Sequence, residues 1–184
     1  MLRTDKEHEV VIKFINSPGC YEHLIKSTDF VKNILIKDLP KLKKDKAIKQ
    51  VLYINWILKM SKNKFLLNPY GNDAISLFDV NLNSMIAIRY CSTITDDTKI
   101  IFKNSFDTAI EIVSLHSNKK GEGTRLVKEA LTLSKDINLP LVLYTEKDEL
   151  VSYYEKFNFV NHGKLGSNDE FLMIRLPKNN KSKK

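Results

Sequence analysis

Leu115-His-Ser-Asn-Lys-Lys-Gly-Glu-Gly-Thr-Arg-Leu-Val127 carries the chain from an apolar strand, through a lysine- and glycine-rich loop, into an amphipathic helix. With no side chains at Gly121 and Gly123, backbone N–H groups can close on a ligand. The first turn of the following helix adds unpaired donors and a positive dipole end, a combination suited to a pyrophosphate. Lys119 and Lys120 bring mobile positive charge to the approach. A Gly-x-Gly pair alone marks little more than a tight turn; its weight here comes from the strand before it and the helix after it. The third spaced glycine of a dinucleotide-binding fingerprint is missing, and no Gly-Lys-Ser/Thr closes a Walker loop.

Outward from this junction, the pattern is one α/β domain. Val- and Ile-rich His8–Ile15 predicts a first strand, stopped by Asn16-Ser-Pro-Gly19. Apolar spacing predicts a helix over Tyr21–Asp38, ended by Pro40, and a second over Asp45–Met60 with Trp56 as a core anchor. Asn68-Pro-Tyr-Gly-Asn-Asp73 is read as a turn. Ala74–Val80, Ser84–Cys91 and Lys99–Lys103 are short strand candidates, and Ala109–Leu115 is the strongest strand in the chain. Helix Thr124–Ile137, strand Leu141–Tyr144, helix Asp148–Phe157 and strands at Phe159–Val160 and Phe171–Leu176 complete a mixed sheet.

Composition bounds the function. The 184 residues, 42% hydrophobic and 28% charged, suffice for one ordinary core and not for two. No apolar run is long enough for a membrane span, and Met1-Leu-Arg-Thr-Asp-Lys-Glu-His8 lacks the layout of a signal peptide, so a cytoplasmic protein with no membrane partner is expected. Cys20 and Cys91 are expected as free thiols, and no metal-ligand spacing is present. The net charge of +8 is concentrated between Lys37 and Lys49 and in the tail Lys178–Lys184, expected to be disordered. Few arginines or aromatics interleave with these lysines, so base readout and stacking platforms are poorly supported.

Glu111-Ile-Val-Ser-Leu-His-Ser-Asn-Lys-Lys-Gly-Glu-Gly-Thr-Arg-Leu-Val127, followed after one helix by Leu139-Pro-Leu-Val-Leu-Tyr144, resembles the acyl-CoA-binding segment of the GNAT superfamily of N-acetyltransferases. Leu150-Val-Ser-Tyr-Tyr-Glu-Lys-Phe-Asn-Phe159 resembles that family's second signature, an aromatic-Tyr-Glu-Lys-x-Gly-Phe helix end. The likeness covers residues 109–160. It implies a single GNAT-like domain over residues 1–177, with a mixed, mostly antiparallel sheet flanked by helices and a splayed strand pair at the coenzyme site. It also implies acetyl-CoA as co-substrate. Val113, Ser114 and Leu115 would offer a strand edge to the pantetheine arm, and Asn118, Lys119, Lys120, Gly121, Glu122, Gly123 and Thr124 would hold the pyrophosphate. The Arg or Gln that usually opens the family's loop falls on Asn118 if the helix sets the register and on Lys120 if the strand does. Asn158 stands in place of the common glycine, which a left-handed backbone tolerates.

Two residues carry the chemistry implied by the resemblance. Tyr154 matches the tyrosine that commonly acts as general acid; a phenol is protonated at neutral pH and can donate to a departing thiolate. Glu111 alternates with Ala109, Val113 and Leu115 on what is read as one strand face. A carboxylate there needs a cleft or a partner, and it would serve as general base for an ammonium acceptor, directly or through water. His116 at the strand end is an alternative base. The expected activity is acetyl transfer from acetyl-CoA to a primary amine by direct attack. The alternative is a non-catalytic module, binding coenzyme or a partner on the same fold. The acceptor is open, with a nucleic-acid- or tRNA-linked amine among the options, and the protein is expected to be a monomer or homodimer.

Overall fold

The computed structural model describes residues 5–45, 47–62, 64–71 and 73–177. The basic tail 178–184 and Lys46 lie outside the described residues. Three helices come first: α1 (Asp5–Ile15), α2 (Cys20–Lys44) and α3 (Ile48–Met60). Where a strand is predicted from the β-branched residues of 8–15, the chain is helical. Val11 is buried and Phe14 and Ile15 pack beside it, and this three-to-four residue spacing outweighs the weak intrinsic strand preference of Val and Ile. α2 also departs from expectation, running through Pro40 to Lys44. Proline deletes one helical hydrogen bond, but Leu39 and Leu42 on either side of it both pack on the main core and hold the last turn in line.

The strands are β1 (Phe65–Tyr70), β2 (Ala74–Asp79), β3 (Ser84–Cys91), β4 (Ala109–Ser117), β5 (Leu141–Thr145), β6 (Val160–Lys164) and β7 (Phe171–Arg175). They form one seven-stranded sheet in the order β1-β2-β3-β4-β5-β7-β6. Every neighbouring pair is antiparallel except β4 and β5. β1 is absent from the sequence expectation because Asn68-Pro-Tyr-Gly reads as turn chemistry. Pro69 is tolerated because β1 is an edge strand, paired among the described residues with β2 alone, and strand pairing runs up to Tyr70 and Ala74. Thr28 on α2 fixes this edge: its Oγ1 accepts from Leu67 N at 2.7 Å and donates to Leu24 O at 2.7 Å.

The expected strand at Lys99–Lys103 is instead helix α4 (Asp96–Ile101). Thr95 caps it, its Oγ1 accepting from Thr98 N at 3.3 Å, and Asp96 and Asp97 complement the dipole of its first turn. Helix α5 (Glu122–Ile137) buries Leu126, Val127, Ala130, Leu133 and Ile137 against the sheet, roughly 1.5–3 kcal/mol for each large side chain. Asn138 ends it in the left-handed conformation, φ 52°. Helix α6 (Asp148–Glu155) contributes Leu150, Val151 and Tyr154 to the same core. The opposite face of the sheet is covered in two places. α1 and the start of α2 pack over Phe78, Met85 and Ala87, and Phe102, at the end of α4, packs over Ala109, Val142 and Ile174. Among the described residues no helix is long and apolar enough to cross a membrane.

Candidate functional site

Two strands that should run side by side separate in the middle of the sheet. β4 and β5 pair in parallel only over Ile110–Leu141, Glu111–Val142 and Ile112–Leu143. β5 then continues along β7, while β4 continues along β3 to Ser117. From Val113 onward β4 pairs with β3 and no longer with β5, so the two strands part as a fork. A bulge marks the same point. Ile88 pairs with Ile112 and Ala87 with Ser114, so Val113 is the extra residue.

The bulge corrects one sequence expectation. Glu111 and Leu115 do not share a face: Leu115 joins Ile110 and Ile112 in the main core, while Val113 packs on the opposite cluster. Strict alternation holds only until the extra residue resets it.

Beyond the fork, β4 feeds the glycine loop. Asn118 N donates to Asn83 O at 2.9 Å and Ser117 Oγ to Lys119 O at 2.8 Å, which fixes the strand exit. Gly121 then turns the chain with φ 89° and caps α5, which starts at Glu122, two residues earlier than predicted. That φ is open to glycine at little cost and strained for other residues. Glu122 accepts from Arg125 Nε at 2.7 Å, and the Arg125 guanidinium lies 5.2 Å from the Phe65 ring centroid, so this cation is drawn onto the flank of the helix. Lys119 and Lys120 are exposed at the loop tip.

Gly123, in the first turn of α5, is approached by a side chain not anticipated as a site residue. The hydroxyl of Tyr153 lies 3.5 Å from where a Cβ would stand, and Ser117 Cβ lies 3.6 Å from it. Tyr153 is half-buried and belongs to α6, so α6 lays one tyrosine over the α5 N-terminus and turns the next inward. Tyr154 is 3% exposed, with its ring edge-on to Tyr153 at 5.1 Å and to Phe159 at 5.6 Å. Burial first, and then the neighbouring Tyr153, raises its phenol well above the ordinary tyrosine value. Asn158 takes φ 62°, a left-handed conformation that asparagine adopts more readily than most side chains.

Glu111 is 6% exposed and lies on the sheet face away from α5. Its cross-strand partner is Arg89, whose Nη2 and Nε both donate to Glu111 Oε2, at 2.6 and 3.2 Å. Arg89 Nη1 reaches Asp73 Oδ1 at 3.0 Å, and the Cys91 thiol is 3.6 Å from Glu111 Oε2. Burial alone would lower the guanidinium, but hydrogen bonds and charge from Glu111, then Asp73, outweigh it and hold Arg89 above its ordinary value. Burial and then the Glu111 carboxylate push the Cys91 thiol up to about 12, against the opposite pull of Arg89. Arg89, Asp73 and Cys91 escape sequence reasoning because their meeting depends on the β2–β3–β4 register, which spacing along the chain does not contain.

These groups border a cavity of about 280 Å3. Glu111, Ala109, Val142 and Tyr144 form its floor, and the strand end and loop from Arg89 to Thr95, with Thr98 of α4, form its wall. Asp73, just ahead of β2, completes the lining. His116 is fully buried at the far end of β4, opposite Met85, away from this cavity. Glu111 and Tyr154 thus occupy opposite faces of the sheet, with the fork between them. No family model, curated protein or solved structure matches the chain.

Proposed function

We propose that the chain is a GNAT-type N-acyltransferase that moves an acetyl group from acetyl-CoA to a primary amine by direct attack. The observation that carries this is the fork: parallel pairing of β4 and β5 stops at Ile112–Leu143, and β4 runs on through a bulge and a glycine turn into the N-terminus of α5. An extended amide-bearing arm laid in the fork pairs with the β4 edge at Val113, Ser114 and Leu115. Its pyrophosphate end then meets the backbone from Asn118 to Thr124, where the dipole of α5 and the mobile Lys119 and Lys120 favour negative charge. Helix onset at Gly121 supports the register in which Asn118 opens the loop. Tyr153 adds a hydroxyl beside Gly123.

In the chemistry that follows, the amine nitrogen attacks the thioester carbonyl carbon, the C–N bond forms and the C–S bond breaks. An N–H group on the bulged stretch of β4 polarises the carbonyl oxygen. The proton lost by the amine goes to Glu111, directly or through a water, and Tyr154 protonates the departing sulfur. Both groups then reset against solvent. The high phenol value keeps Tyr154 in the proton-bearing form throughout the neutral range.

The rival is a non-catalytic coenzyme-binding module, and one feature favours it: Glu111 is already engaged by Arg89. It requires coenzyme binding without turnover on any amine. Calorimetric titration with acetyl-CoA, paired with mass spectrometry of the purified protein, tests both readings. Absence of binding at millimolar coenzyme would sink them together.

A further inference from the structure

The cavity beside Glu111 has a composition of its own. Two carboxylates, Asp73 and Glu111, share one guanidinium, Arg89, so among the described residues the charged lining carries one net negative charge in a chain whose total is +8. The remaining polar lining is hydroxyl-rich, with Ser92 and Thr93 exposed along the loop and Tyr144 on the floor. Ile94, Ala109 and Val142, with Tyr90 and Cys91, add apolar surface. At about 280 Å3 the space is at the small end for ligand pockets, room for one compact molecule rather than a chain segment. Glu111 is two residues before the Val113 bulge, so the cavity opens within about 7 Å of the fork along β4.

We propose that this cavity binds a small, hydroxyl-bearing primary amine in its ammonium form and, resting on the transferase reading above, that this amine is the acetyl acceptor. The net negative lining attracts an ammonium group and turns it toward Glu111. The rim hydroxyls and Tyr144 exchange hydrogen bonds with ligand hydroxyls, and the same charge repels carboxylate- and phosphate-bearing acceptors. The basic surface of the chain therefore does not report the acceptor: a tRNA-linked amine would bring its phosphates to a site whose lining is negative.

The test uses the full chain and glucosamine as probe, with glucose as its uncharged counterpart and glutamate as an acidic amine. Amide chemical shifts over residues 89–95 and 109–111 read binding without coenzyme. Glucosamine is expected to move them and glucose to bind at least fivefold more weakly. Asp73→Asn, at an exposed position, should weaken glucosamine about three- to fivefold and leave acetyl-CoA binding unchanged. Asp73→Lys should invert the preference toward glutamate. Equal binding of glucose and glucosamine, preference for glutamate or charged tRNA by the native chain, or indifference to both Asp73 variants overturns the proposal. Glucosamine seated in a protein that ignores acetyl-CoA removes the transferase reading and leaves the amine site standing; acetyl-CoA binding without glucosamine removes the acceptor alone.

Discussion

Adjacent tyrosines on α6 meet different surroundings. Tyr154 is sunk in the core and holds its proton, whereas Tyr153 presents its hydroxyl at the first turn of α5. Steady-state kinetics should separate them. Tyr154→Phe should lower kcat by about 10²-fold or more with coenzyme affinity unchanged, as for loss of a general acid. Tyr153→Phe should raise the coenzyme KM and spare kcat; the reverse pattern would move the acid to Tyr153. The same burial has a consequence for stability. Cys91 and Tyr154 bind their protons more tightly in the folded chain than in the unfolded one, so unfolding at alkaline pH releases protons. Their contribution is complete below the ordinary thiol value of 9.0 and is lost as pH climbs through about 12 for Cys91. Melting temperature should therefore fall progressively across that window, and Cys91→Ser should flatten the early part of the decline. A melting temperature that is level up to pH 11 would contradict the assignment of Cys91 as a raised thiol.

At the scale of elements, the β4–α5 junction joins a conformational requirement to an open approach. Gly121 needs its positive φ, but Gly123 is helical and an added Cβ would meet its nearest atoms at ordinary contact distance. Gly123→Ala should therefore raise stability by about 0.5–1 kcal/mol in urea titrations, because glycine is unfavourable inside a helix. It should also weaken acetyl-CoA binding, since the methyl would stand over the donors the pyrophosphate is proposed to use. Stability and affinity moving in the same direction would argue against that placement. This junction was legible from residues 115–127 because glycine, lysine and helix periodicity all point the same way. Elements whose signals conflict were not legible. α1 and α4 are short helices carrying Val, Ile or Thr, and β1 contains a turn-like Asn-Pro-Tyr-Gly that an edge position tolerates. The cavity was hidden for a different reason. The alternation that placed Glu111 beside Leu115 fails at one extra residue, and the Arg89 and Asp73 contacts exist only through cross-strand register.

For the whole molecule, the sheet is two blades. β1 to β4 form one and β5, β7 and β6 the other, joined through three residue pairs at Ile110–Ile112 and Leu141–Leu143 and spanned by α5. If an extended arm fills the fork, hydrogen exchange should slow for amides within 113–117 when acetyl-CoA is added, while edge strand β1 stays unchanged. Protection confined to the loop at 118–124 would restrict the ligand to the anion cradle and empty the fork. The narrow join also bears on how the chain assembles and comes apart. β1 to β3 pair through local hairpins, whereas the parallel contact of β4 with β5 needs the whole α5 crossover before its ends can meet, and contacts of that kind close late. A ligand wedged into a late-closing seam stabilises interactions absent from the folding transition state. It would leave the refolding rate near its free value and slow unfolding instead, so coenzyme would act on the protein as a kinetic clamp.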